Sequence, residues 1–276
     1  MAALFEASRY NNARSRDLLK EFEYFNQDRF YGGLLVASGR AESAADFFER
    51  AHDPQIVPKA EDIRRLRKIY AAFAPIYDEL VWRPSLSRVR AKRAALVALA
   101  AKTSLSSLYA RAAAFYRSSD DGPVIVVLVP IPAQNRDFQM PVVAGVVSFE
   151  YPLPPGLDQN ELENNLSVLF HELCHLLSHR MPKDLAAKLK ASLRGRPGSD
   201  RILEEGLATA IGVWEYRKAT GKEKGKEEEW YADAEIGAFA QAIYPKLAAY
   251  LDSARPMDDE FIAFVGAQYA RVSRAR

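Results

Sequence analysis

The segment HELCHLLSH, residues 171–179, holds three of the four histidines in this 276-residue chain. His171, Glu172 and His175 stand in it as H-E-x-x-H. Residues four apart share one face of a helix, so both imidazoles can reach a single metal ion. Glu172 lies about a quarter-turn around from His171. It can approach a water on that metal without being a ligand. Paired imidazoles suit zinc, and catalytic zinc takes three protein ligands and keeps one position for water. The chemistry this predicts is metal-assisted hydrolysis. The competing reading is a buried helix with incidental histidines.

A third ligand should come from elsewhere in the chain. The segment RILEEGLATA, residues 201–210, begins a predicted helix and offers Glu204 and Glu205. Gly206 would let the backbone after Glu205 approach a neighbour closely. Glu204 points about a quarter-turn away. Either carboxylate would also suit an exposed first helical turn, where the dipole favours negative charge.

HELCH, followed thirty residues after His175 by Glu205-Gly206-Leu207-Ala208, resembles the gluzincin metallopeptidases, the superfamily of thermolysin and aminopeptidase N. The resemblance covers about 40 residues, Leu169 to Thr209. It implies Zn2+ as cofactor, His171, His175 and Glu205 as its ligands, and Glu172 as general base. In the aminopeptidase N branch the ligand Glu precedes Gly, an apolar or aromatic residue and Ala, which selects Glu205 over Glu204. The resemblance also implies a sheet before the zinc helix, with an edge strand that pairs with extended peptide; VVAGVVSFEY stands where that strand belongs. Amide hydrolysis fits this apparatus best, so peptide or protein is the expected substrate.

Two departures from the family pattern matter. No histidine follows His179, so the transition-state donor of thermolysin-like enzymes is missing. A tyrosine, as in the aminopeptidase N branch, is then the expected donor, and Tyr216, Tyr231, Tyr244, Tyr250 and Tyr269 all follow Glu205. Tyr244 is the first choice because Pro245 implies a helix break that would free it to face a cleft. The second departure is upstream. The Gly-x-Met-Glu-Asn that binds a substrate amine is replaced by Ser148-Phe149-Glu150-Tyr151-Pro152, leaving Glu150 as its nearest equivalent. His179 lies one turn beyond His175 and reads as a polar neighbour. Cys174 lies off the ligand face and reads as a small buried residue. The spacing around Ser178 and Met181 excludes the metzincin motif.

Residues 14 to about 118 read as helices, at roughly 41–51, 60–80, 85–102 and 105–116 after a first irregular one, with Pro75 expected to kink or end the third. The β-branched run PVIVVLVPI and the segment VVAGVVSFEY read as two strands joined by the loop PAQNRDFQMP, as a long hairpin or as neighbours in a small sheet. Helices then follow at about 159–180, 183–193, 201–218, 231–251 and 259–272, the third of these capped by Asp200. The fold expected is α+β: mostly helical, a small β-sheet before the zinc-binding helix, and a gluzincin-like catalytic core. The division expected is a helical region at 1–118 and a catalytic region at 119–276, or one continuous domain.

Hydrophobic residues make up 49 % of the chain and charged residues 27 %, enough for a large core and ordinary for a globular protein. The net charge of +2 argues against nucleic acid as partner. Between Lys59 and Lys102 the balance is +7, from eleven basic and four acidic residues, which reads first as solvated helix faces. No apolar run approaches a membrane span. The opening MAALFEASRYNN carries no secretory signal, so a soluble chain is expected, cytoplasmic or exported with a signal cut away upstream. With Cys174 alone, no intramolecular disulfide forms. Two rival functions stand beside hydrolysis: a non-catalytic binding module of gluzincin type, and a helical interaction protein whose H-E-x-x-H is fortuitous.

Overall fold

Helices dominate the computed structural model, which describes residues 12–25, 27–119, 122–131, 140–152, 158–193, 198–222 and 230–274. In chain order they are α1 (Ala13–Phe25), α2 (Asp28–Arg40), α3 (Ala44–Ala51), α4 (Ala60–Tyr77), α5 (Arg83–Lys102) and α6 (Leu105–Tyr116). Three strands follow, β1 (Ile125–Ile131), β2 (Val142–Val143) and β3 (Val146–Pro152). Then come α7 (Gln159–His179), α8 (Lys183–Ser192), α9 (Ser199–Ala208), α10 (Tyr216–Ala219), α11 (Ala234–Asp252) and α12 (Asp259–Val272). The α+β expectation is met, with helices far in excess of strands. No described helix is long and apolar enough to cross a membrane.

The chain forms two compact units, Met1–Ala94 with Gly122–Leu157, and Ala95–Asp121 with Asp158–Arg276. In these units the sheet joins the N-terminal helices, and α6 joins the C-terminal ones. The reason in the first unit is a close approach. A Cβ on Gly39 of α2 would stand 2.3 Å from a Val146 methyl carbon of β3, so only glycine lets this helix lie against the strand. The helical core beside it gathers Phe25, Phe30, Phe48, Ile63, Leu66 and Ile69.

β1 pairs with β3 in parallel from Ile125↔Val146 to Ile131↔Pro152, which excludes the long hairpin. VVAGVVSFEY is not one strand. Ala144 (φ 45°) and Gly145 (φ 81°) make a two-residue turn, and β2 folds back antiparallel on the start of β3. Positive φ at both turn residues matches the twist of a tight hairpin. The strand order β1-β3-β2 makes β3 the middle strand, so it is not the edge strand that the resemblance implies. Most of the loop between β1 and β2, residues 132–139, lies outside the described residues.

Pro75 does not end α4, which reaches Tyr77 and continues through a π-turn, Asp78–Trp82, into α5. A widened turn is a common way to absorb a local mismatch in helical hydrogen bonding. The basic stretch is largely a solvated, paired surface, with Arg64 on Glu61, Arg65 on Asp62 and Arg83 on Asp78. Lys92 departs from this: it is buried, with its ammonium 3.9 Å from the Tyr151 ring centroid.

In the second unit α7 is capped by Asp158, whose carboxylate accepts from the Asn160 amide at 2.7 Å and the Glu161 amide at 3.0 Å. Asp200 is not a cap. It lies in the first turn of α9, where Gly198 at φ 79° precedes the helix. Most of the predicted loop before it, residues 194–197, and residues 223–229 of the charged GKEKGKEEE segment lie outside the described residues.

Asp258 caps α12 by accepting from the Phe261 amide at 2.9 Å, and it also accepts from the Tyr250 hydroxyl at 2.9 Å and pairs with Arg255. Burial pushes its carboxyl upward, but the amide, phenol and guanidinium outweigh burial and hold it below the usual range. Asp258→Ala is expected to lower unfolding stability by about 1 kcal/mol at neutral pH. A depressed folded-state pKa adds stability that is fully present above the ordinary value of about 3.9 and is lost as pH falls through the folded one. Urea melts of wild type and variant should therefore converge below about pH 4. A gap that stays constant into acid would show that the carboxylate is not its source.

Candidate metal centre

The periodicity that marks α7 as a helix also sets its two faces. Leu166, Leu169, Phe170, Leu173, Cys174 and Leu177 are buried along it, and His171 and His175 share one side a turn apart. Their Nε2 atoms are 3.1 Å from each other. Glu205 approaches from α9, with its Oε2 3.3 Å from His171 Nε2 and 3.6 Å from His175 Nε2. Among the described residues, no other group of three or more His, Cys, Asp or Glu side chains converges like this.

The three donor atoms form a triangle with sides of 3.1, 3.3 and 3.6 Å. Ligands held at 2.0–2.1 Å around a tetrahedral zinc stand about 3.3 Å apart. The donor set, two imidazoles and one carboxylate, is one that zinc favours in catalytic sites. The residues present therefore fit a zinc ion in both chemistry and spacing.

The electrostatics show a carboxylate and imidazoles closely coupled to one another. Hydrogen bonding to His171, then to His175, holds the Glu205 carboxyl far below its ordinary range despite partial burial. Burial pulls His175 down, but the hydrogen bond and charge of Glu205 reverse this and raise it. Burial raises the Glu172 carboxyl, and nearby His171 and His175 oppose that shift. Glu172 thus stands beside the cluster without belonging to the converging group.

Glu204 does not compete. Its carboxylate meets His179 at 3.4 Å on the exposed side, one turn beyond the cluster. The roughly 100° between successive helical residues separates the two glutamates. Cys174 is fully buried, and burial pushes its thiol well up. Glu150 belongs to the other unit, on β3, where it accepts from the Ser148 hydroxyl at 3.3 Å. Burial, then the Glu150 charge, raises the Tyr77 phenol to about 12.

The tyrosine that reaches the cluster is Tyr231, not Tyr244. Its hydroxyl donates to Glu205 Oε2 at 2.9 Å, and its ring lies nearly parallel to that of His171, 22° apart with centroids at 6.4 Å. Burial, then the bond to Glu205, lifts this phenol to about 12, so it keeps its proton at neutral pH. Tyr244 is engaged elsewhere. It hydrogen-bonds Glu215, and its ring stands edge-on to Trp230 at 5.3 Å. The break expected at Pro245 does not occur, because α11 continues through it to Asp252. A proline removes one amide donor, and packing on Ile243, Leu247 and Leu251 keeps the helix whole.

One further residue, Gly212, is not singled out by the sequence reading. Gly206 does allow a close approach, but to the Phe239 ring, which a Cβ would meet at 2.4 Å. The glycine that lies against α7 is Gly212, whose Cβ would fall 2.3 Å from His171 Cα. It belongs to a π-turn, Thr209–Glu215, that continues α9 into α10. An isolated glycine in an apolar helical run hints at close packing, without saying against what. Comparison of the chain with protein-family models, with curated proteins and with solved structures finds no match.

Proposed function

We propose that this protein is a zinc-dependent hydrolase of gluzincin type, acting on peptide bonds. The observation that carries this reading is the convergence of His171, His175 and Glu205 with spacings suited to zinc. A bound zinc would supply Lewis-acid polarisation of a carbonyl and a lowered pKa for water.

The remaining work falls to side chains of this chain. Glu172 takes a proton from the attacking water and passes it to the departing amine nitrogen. Its half-buried carboxyl, raised by desolvation, is tuned toward a group that both accepts and returns a proton. Tyr231 donates its hydroxyl hydrogen to the oxyanion that forms at the former carbonyl oxygen. A neutral phenol does so without adding charge beside the cluster. Glu205, besides being a ligand, accepts the Tyr231 hydrogen bond before substrate arrives and so keeps the phenol in place.

The test is hydrolysis of a mixed set of quenched-fluorescent peptides. Activity should fall to background after zinc is stripped by a chelator, and one equivalent of zinc should restore it. Undiminished cleavage by zinc-free protein would refute metal-dependent catalysis. A zinc-loaded protein that cleaves no peptide would refute the peptidase assignment.

A further inference from the structure

One uninterrupted helical run carries Glu205 and then changes pitch. It starts as α9, widens into the π-turn Thr209–Glu215 and ends as α10. π-turns are rare and concentrate at functional sites, because the extra residue rotates everything after it. Here the rotation sets Gly212 against the backbone of a candidate ligand. A Cβ on Gly212 would stand 2.3 Å from His171 Cα, 2.5 Å from its N and 2.9 Å from its Cβ, all under the 3.0 Å that real Cβ contacts keep. His171 lies in the middle of a 21-residue helix, so its backbone has little freedom to move aside.

The same turn reaches the tyrosine. Trp214, two residues beyond Gly212, stacks on Trp230 with ring centroids 3.7 Å apart and planes 15° apart. Trp230 directly precedes Tyr231, whose hydroxyl bonds Glu205. Two contacts from one turn therefore bear on two sides of the cluster.

We propose that the π-turn Thr209–Glu215 is the positioning element of the metal centre. Gly212 sets the place of His171, and Trp214 holds Tyr231 through Trp230. This rests on the zinc reading above, but its first test does not. In metal-free protein, Gly212→Ala should shift the His171 ring signals in an NMR spectrum and leave those of His52 in place. In zinc competition against a chelator, the same variant should lose about tenfold or more in affinity, the loss typical when support around a ligand is removed. Phe261→Ala is the control, a core truncation elsewhere in the unit, expected to lower stability and keep the affinity within about twofold. Unmoved His171 signals with wild-type affinity would overturn the proposal. So would an equal affinity loss in Phe261→Ala, which would reduce the effect to general destabilisation.

If Gly212→Ala fails to fold, Trp214→Leu decides the matter. It should keep zinc, lower kcat without raising KM, and cause no further loss when combined with Tyr231→Phe. Losses that multiply would show that Trp214 acts independently of Tyr231. Wild-type protein that binds no zinc would defeat the functional reading, while the metal-free His171 signals would still decide what Gly212 does.

Discussion

Glu172→Gln should lower peptide turnover by about 10²–10⁴-fold while zinc stays bound. The residue is adjacent to His171 but outside the converging donor set, so removing its charge leaves the three converging side chains unchanged. Glutamine keeps the volume and loses the charge and with it the ability to take a proton. Turnover should therefore collapse with little change in KM, the pattern of an interaction made in the transition state. Single-turnover kinetics beside elemental analysis would check both halves. Near wild-type turnover would require another base and end the mechanism above.

Tyr231→Phe should lower kcat by about 10²–10³-fold, the cost of removing one donor to an oxyanion. Before substrate binds, the phenol already sits 2.9 Å from Glu205 Oε2 with its ring along His171. Only the oxygen is lost in this variant, and the ring contact remains. Tyr244→Phe provides the contrast. Its phenol hydrogen-bonds Glu215, whose carboxyl is buried and raised by that burial. The expected consequence is destabilisation of about 1–3 kcal/mol, from a buried acceptor left short of a donor, with kcat within a few-fold of wild type. A kcat loss in Tyr244→Phe equal to that in Tyr231→Phe would return the donor role to Tyr244.

The sequence pattern marks the part of the site that local chemistry dictates. His171 and His175 are readable because a spacing of four has one geometric meaning on a helix, and α7 carries a clear apolar periodicity. Glu205 needed more than local chemistry, since Glu204 beside it suits a helix start equally well. The resemblance pointed to Glu205, and the two side chains diverge as successive helical residues must. Tyr231 is one of five candidate tyrosines in the sequence, and nothing local ranks it first. It lies before α11, whose first residue is Ala234, so no periodicity fixes its direction. Its place follows from Trp230 packing on Trp214, a contact between side chains 16 residues apart.

The fold shows the same boundary between local and distant causes. Most helix positions follow from periodicity, but Asp28–Arg40 is a separate helix where the sequence shows only one irregular apolar stripe, and the turn at Ala144–Gly145 lies hidden inside a β-branched run. The parallel pairing of β1 with β3 and the union of the sheet with α2 depend on contacts such as Gly39 on Val146, which no local pattern announces. Pro245 misled because a single missing amide donor weighs less than the packing of a long, largely buried helix.

Zinc content of protein purified without a histidine tag tests the central claim most directly. Wild type should hold about one zinc per chain. His171→Ala, which removes one of three converging donors, should hold almost none and still give the helical circular dichroism of a folded chain. Zinc content equal in the two proteins would contradict a metal centre at His171, His175 and Glu205.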